Sequence, residues 1–208
     1  YGYHPCVAII GSEQDAADQI LDSIKMEFRV NDVLYRMFPE ICVPVRVADD
    51  KAIVAKTLTF RRKDMHFKWG QKLLALPTIE GIASSGAIII PRGLTGRIRG
   101  MVFKHPDGRS VRPSLLIPDD PQTDKSAKSP TECENRERLV TAAILGTAGH
   151  GKPPTALMPC TVIRRGDMSD SILDNKIHPE WHGRKRGMIQ KWPDEWEKEE
   201  RGLWGKYI

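Results

Sequence analysis

Apolar and polar positions follow two rhythms along this chain. Residues 6–10, CVAII, form a continuous apolar run, the pattern of a strand buried on both faces. Gly11 breaks it. Ser12 is placed to cap a following helix, because its hydroxyl can accept a free N–H of the first turn. Ala16, Ala17, Ile20, Leu21, Ile24 and Phe28 then recur at helical spacing. Asn31-Asp32 ends or bends that helix, and a short helical piece ending at Phe38-Pro39 follows. From about 41 to 92, short β-like runs are broken by Gly and Pro, which places strands near 57–60, 72–76 and 87–90.

The pattern sharpens after residue 97. HPDGR (105–109) is a turn sequence: Pro presets φ, Asp caps locally and Gly accepts positive φ. SLLI (114–117) is another buried apolar strand and runs straight into Asp119-Asp120. SPTE (129–132) opens a helix, with Ser129 as cap, Pro130 at the first helical position and Glu132 closing a capping box. Leu139, Val140, Ala143, Ile144 and Ala148 carry the stripe of that helix, and Gly149 and Gly151 end it. TALMPCTVI (155–163) reads as one more strand, and RRGDMSDSILD as a turn leading into a short helix. The last segment is rich in Trp and charge, with a final helix opened by Pro193 and running from Trp196 to Tyr207. Strand–helix alternation predicts an α/β core with a mostly parallel sheet flanked by helices. Ligands of such sheets sit at the carboxyl ends of the strands. Asp119-Asp120 lie at one such end, and residues 161–167 at another.

Composition bounds this picture without changing it. The chain has 208 residues, 40% hydrophobic and 28% charged, enough for one core and a small appendage. No apolar run approaches the roughly 18 residues of a membrane span, so no membrane partner is expected. Cys6, Cys42, Cys133 and Cys160 sit among apolar neighbours without zinc spacing and read as buried small hydrophobes in a reducing compartment. The net charge of +5 is concentrated in RRKDMHFK (61–68), RGLTGRIRG (92–100) and HGRKRG (182–187). Each cluster is a solvated face or a contact for an anion, and Phe60, Phe67, Trp69 and Trp181 beside them favour nucleic acid.

The candidate chemistry is in LLIPDDP (115–121). Two adjacent ionised carboxylates repel each other, and a divalent cation resolves the conflict. Mg²⁺ takes few carboxylates, keeps waters and completes its shell with phosphate oxygens. The second acid can then orient a water for attack. An apolar strand ending in two acids is the Walker B pattern of P-loop NTPases. By itself, PDDP is a weak pattern and reads more readily as a solvated Asp-rich turn after a strand than as a metal site.

The surrounding sequence carries a resemblance. IPDDPQTDKSAKSPTECENRER (117–138) closely resembles the segment after Walker B in the large terminase subunits of tailed bacteriophages. RGLTGRIRGMVFKHPDGRSVRP upstream, MPCTVIRRGDMSDSILD downstream and the ending LWGKYI are similar to that family too. The likeness is best over 92–208. It implies a P-loop NTPase-like (ASCE) ATPase domain, here residues 1–180, and a linker at 181–208 toward a nuclease domain. It implies a motor coupling ATP hydrolysis to viral DNA packaging, with ATP and Mg²⁺ as cofactors, in a protein that also cuts DNA. Double-stranded DNA, the portal protein, the small terminase subunit and a homo-oligomeric ring on the prohead are the implied partners. The implied location is the host bacterial cytoplasm, not the mature virion.

Carried over by position, Asp119 becomes the Mg²⁺-binding Walker B aspartate. Asp120 takes the catalytic carboxylate slot, where many relatives have the longer Glu. Thr161, in the Pro159-Cys160-Thr161 stretch, matches a motif that senses the γ-phosphate. Arg99 is the best match, and Arg97 its rival, for an arginine reaching a neighbouring subunit's nucleotide. No G-x-x-x-x-G-K-[ST] occurs. GTAGHGKPPT (146–155) has the wrong spacing and puts Pro153-Pro154 where a phosphate-binding helix would start. Within the resemblance, the chain is an interior piece lacking Walker A and the nuclease, inactive by itself. The alternative is a non-catalytic nucleic-acid-binding or assembly protein on an α/β scaffold.

Overall fold

The computed structural model describes residues 3–48, 58–96, 98, 100–105, 108–147 and 154–187. Its centre is a six-stranded mixed sheet, so the expected α/β class holds. The strands in chain order are β1 (Cys6–Gly11), β4 (Lys68–Trp69), β5 (Leu74–Ala75), β6 (Ile88–Gly93), β9 (Leu115–Pro118) and β10 (Thr155–Ala156). They lie side by side as β10-β9-β1-β6-β5-β4. β1 runs parallel to β6 and β9, and β9 runs parallel to β10; β5 pairs antiparallel with β6, and β4 pairs antiparallel with β5. Two hairpins stand apart from this sheet: β2 (Thr59–Phe60) with β3 (Lys63–Asp64), and β7 (Phe103–Lys104) with β8 (Ser110–Val111).

The continuous apolar run at 6–10 is a central strand: Cys6, Ala8 and Ile10 on one face are fully enclosed, and on the other face Ile9 is buried and Val7 half-buried. β6 tolerates Pro91 for a local reason. β5 covers β6 only at Ile88 and Ile89, so Pro91 stands where that side of β6 has no strand beside it.

Helix α1 (Gln14–Val30) follows β1 and packs across β1 and β6, burying Ala17 and Leu21. Its cap differs from the expectation. Glu13, not Ser12, is the capping residue, and no side chain closes the cap. Two glycines bring this helix start close to the sheet. Gly11 pairs with Gly93 across the ladder. A Cβ on Gly11 would lie 2.6 Å from the Ala17 nitrogen, and one on Gly93 would lie 2.6 Å from the Gln14 nitrogen.

Asn31 ends α1 and caps α2 (Asp32–Met37), its Oδ1 accepting the Val33 and Leu34 N–H groups at 2.8 and 3.1 Å. Helix α3 (Pro39–Ala48) falls where the sequence pattern gives no helix. It contains Pro44 and three valines, yet it buries Ile41, Cys42, Pro44, Val45 and Ala48. That tertiary burial outweighs weak intrinsic propensity.

The predicted strand at 57–60 is the small β2 arm, outside the main sheet. β7 and β8 flank the predicted HPDGR turn, of which Pro106 and Asp107 lie outside the described residues. His105 donates its N–H to the Arg109 carbonyl at 2.9 Å, and Gly108 has φ 87°. After β9 come α4 (Asp124–Ala127) and α5 (Pro130–Thr147). Ser129 accepts the Glu132 N–H at 3.4 Å. Val140 and Ala143 of the predicted stripe are buried, whereas Leu139 is 39% exposed. Ala148, Gly149, Gly151 and the expected Trp196–Tyr207 helix lie outside the described residues.

β10 is much shorter than the strand expected over 155–163. Its pairing with β9 stops at Ala156, and Pro159 further on has no N–H to continue a ladder. The short helix α6 (Met168–Ser171) ends the segment as predicted. The chain divides into two compact units, residues 1–170 and 171–208. In the second, Asp174 accepts backbone N–H groups from Ile177 and His178, and the His178 ring meets Glu180 at 3.1 Å.

Candidate active site

The parallel strands β10, β9, β1 and β6 end on one edge of the sheet, and three of the five sequence-predicted residues gather there. Asp119 follows β9 directly, and its N–H donates to the Ile10 carbonyl at 2.8 Å, continuing the β9–β1 ladder by one bond. Asp119 is half-buried and Asp120 exposed. Burial, and secondarily the neighbouring Asp120 carboxylate, hold the Asp119 carboxyl above its ordinary range.

Asp120 turns the chain. Its φ of 39° is left-handed, a region in which non-glycine residues are uncommon. Its N–H donates to the Pro159 carbonyl at 3.1 Å. Its Oδ1 accepts the Thr161 N–H at 2.8 Å. The strained aspartate thus stitches the end of β9 to the loop after β10. Thr161 is fixed through its backbone at both ends, because its carbonyl accepts from Gln122 Nε2 at 3.0 Å, while the residue itself stays exposed.

Two groups that sequence reasoning missed support this arrangement. The first is Asp167, fully buried. Its Oδ2 accepts from Gln122 Nε2 (2.8 Å) and from the Ile163 and Arg164 N–H groups (2.8 and 2.9 Å). Its Oδ1 accepts the Asp170 N–H at 2.9 Å, as a helix cap does. The signal was the Asp-x-x-Asp spacing in GDMSD. The second is Arg136. Its Nη1 donates to the carbonyls of Pro121 (2.8 Å) and Ser12 (3.2 Å), and its Nη2 pairs with Glu13 at 3.0 Å. Cys133, Arg136, Val140 and Ala143 are all buried along α5. An arginine at helical spacing within an apolar stripe was the readable sign. Glu13 also accepts from the Thr95 hydroxyl at 3.3 Å, and Gln14 Oε1 accepts the Gly93 N–H at 3.0 Å. The loops after β1, β6, β9 and β10 are therefore tied into one network.

A comparison with protein-family models finds no match, and one with curated proteins finds none. The site must be read from its own geometry.

Cys160 lies inside the stitched loop. Burial raises its thiol, the Ser169 hydroxyl draws it down, and the Asp120 and Asp167 carboxylates push it up again. Arg97 and Arg99 lie outside the described residues. Among the described residues no group of three or more His, Cys, Asp or Glu gathers as a metal site. Mg²⁺ does not require one, since it is held by one or two carboxylates plus water and phosphate. The Asp119–Asp120 pair fits such an ion. Ionisation of Asp119 is disfavoured in the bare protein, and a cation would remove that penalty. An apolar cavity of about 590 Å³ elsewhere shares no residue with this edge; Val43, Val47, Leu58, Phe60 and Met65 are among its lining residues.

Proposed function

We propose that this chain is the ATPase motor portion of a phage terminase large subunit, coupling ATP hydrolysis to packaging of viral DNA. The finer fold in this reading is the ASCE class of P-loop NTPase. One observation carries it. An acid pair sits at the carboxyl end of β9, inside the parallel part of the sheet, and is bonded to the polar loop that follows the adjacent strand. That is the place where α/β sheets bind ligands and where Walker B acids act.

In this reading Asp119 holds Mg²⁺, which when bound neutralises charge on the β- and γ-phosphates. Asp120 orients the attacking water through the carboxylate oxygen that Thr161 does not occupy. Its fixed backbone compensates for the short side chain, because the bond to Thr161 and the turn at φ 39° preset its direction. Thr161 is the γ-phosphate sensor in this reading, and its backbone bond to Asp120 links it to β9. Arg99 or Arg97 supplies fixed positive charge to a neighbouring subunit's nucleotide. Double-stranded DNA, the portal protein, the small terminase subunit and further copies in a ring on the prohead are the partners, in the host bacterial cytoplasm. Among the described residues no helix is long and apolar enough to cross a membrane.

The test is Asp119→Ala in the intact protein. Loss of Mg²⁺-dependent ATP turnover and of packaging is expected, with folding retained. Unchanged turnover would sink the reading. The second reading, a non-catalytic nucleic-acid-binding protein on this scaffold, is favoured by exposed arginines on the β2–β3 hairpin. It expects DNA binding and no effect of Asp119→Ala.

A further inference from the structure

The β2–β3 hairpin is built around an unfavourable turn. Its two central residues are Arg61 (φ 51°) and Arg62 (φ 62°), both left-handed. A two-residue hairpin loop of this kind favours Asn-Gly, because those residues accept positive φ with little strain. Two consecutive arginines gain the turn nothing. Backbone strain retained in this way points to a use for the side chains.

The surroundings point to the same conclusion. Arg61, Arg62 and Lys63 are all exposed. Lys63 pairs with Glu80, which fastens the arm to the body of the protein, and Met65 donates its N–H to the Leu58 carbonyl at 2.9 Å at the arm's base. The Glu80 carboxylate, held mainly by Lys63, also feels Arg61. The Arg61 guanidinium carbon lies 5.3 Å from the centre of the Phe60 ring, within cation–π range. Among the described residues neither guanidinium hydrogen-bonds a carboxylate. Lys68 is exposed further along the same segment, and so is Lys72. Between residues 58 and 80 there are five lysines and arginines against two carboxylates.

We infer that the Arg61–Arg62 tip is a contact for the phosphodiester backbone of double-stranded DNA, gripped without regard to base sequence. Guanidinium groups match phosphate oxygens in bidentate geometry. A duplex offers one negative charge per about 1.7 Å of its axis. A short anchored arm with two adjacent guanidiniums at its end suits that dense line of charge. The inference does not depend on the nucleotide site, and its test contains no nucleotide.

The experiment measures anisotropy of a short labelled duplex with the 208-residue chain across a salt series. The key variant is Arg61→Asn/Arg62→Gly, which removes both charges while giving the turn its preferred residues. Its melting temperature should equal or exceed that of the parent, so lost binding is not lost folding. Affinity should fall at least about tenfold, and the slope of log K against log salt should flatten by up to about 1.8, two phosphate contacts' worth. Arg61→Lys/Arg62→Lys should keep most of the slope. No duplex binding by the parent chain, or an unchanged slope in the Asn-Gly variant, overturns the inference. So does equal binding of polyglutamate with the same loss in the variant, which would assign the tip to an acidic protein. Preference for a single strand over the duplex would overturn the choice of duplex.

Discussion

Asp119 is destabilising when ionised, and the sign of its pH dependence follows. Its carboxyl is raised above the ordinary value of 3.8 by burial and by Asp120. Between that value and the raised one, the folded state holds more protons than the unfolded state. Stability therefore falls as pH rises through this window and stays lowered at neutral pH. Asp119→Asn should raise the melting temperature slightly at pH near neutral, since solvent screens much of the effect. The gain should vanish below the ordinary carboxylate value, and thermal scans across pH would show it. A gain that persists in acid would contradict the assignment. Asp167 behaves in the opposite sense, because it satisfies donors instead of straining against a neighbour. Asp167→Ala strips one side-chain and three backbone N–H partners of their acceptor. It should cost about 3 kcal/mol or more in chemical denaturation. The repulsion from Asp120 was readable in the sequence, but the burial that dominates at Asp119 was not, and neither was the role of Asp167. The acid pair stood out in the sequence, whereas Asp167 looked like one more acid in a turn.

Elements were legible where one pattern decided them and illegible where contacts did. The 3.6-residue stripe gave α1, and the SPTE start gave α5, because burial on one face and capping are local in sequence. α3 was missed because its proline and valines argue against a helix, and only its packed face compensates. β10 was overpredicted because the apolar run continues after the ladder stops. The cap of α4 was also missed: Thr123 accepts the Ser126 N–H at 3.2 Å, and the Ser126 hydroxyl accepts the Thr123 N–H at 2.9 Å. Thr123→Ala should destabilise by about 1 kcal/mol, read as a shifted denaturation midpoint. The approach of α1 to the sheet gives a stronger expectation. Gly93→Ala places a methyl 2.6 Å from backbone nitrogen, which cannot rotate away. About 1–3 kcal/mol of destabilisation is expected, together with loss of the bond from the Gly93 N–H to Gln14. An unaffected midpoint would mean that α1 starts further from β6.

At the scale of the molecule, the thiols report how the core opens. Burial pushes the Cys6 thiol up to about 12. It sits in the central strand, so a thiol reagent reaches it only through opening of the whole sheet. Cys160, half-buried in the loop after β10, should react well before Cys6 at mildly alkaline pH. Reaction at Cys6 should track global stability across denaturant concentrations. Mass mapping of labelled peptides over time distinguishes them, and early labelling of Cys6 would contradict the strand order. The same order explains how the candidate site is assembled. Arg136 reaches Ser12 and Glu13 from more than a hundred residues away in sequence, and Gln122 reaches Asp167 from 45 away.

The sequence by itself determined the α/β alternation, the buried central strand, the long helices and the acid pair at a strand end. These depend on periodicity, capping and chain order, all readable within a few residues. Only the tertiary structure decided that β9 lies between β1 and β10. It also decided that Asp120 is bonded to Thr161, and that Asp167 and Arg136 hold the loops around it. Those facts depend on which strands become neighbours. That choice is made by the packing of the whole sheet, where each buried polar group must find a partner distant in sequence.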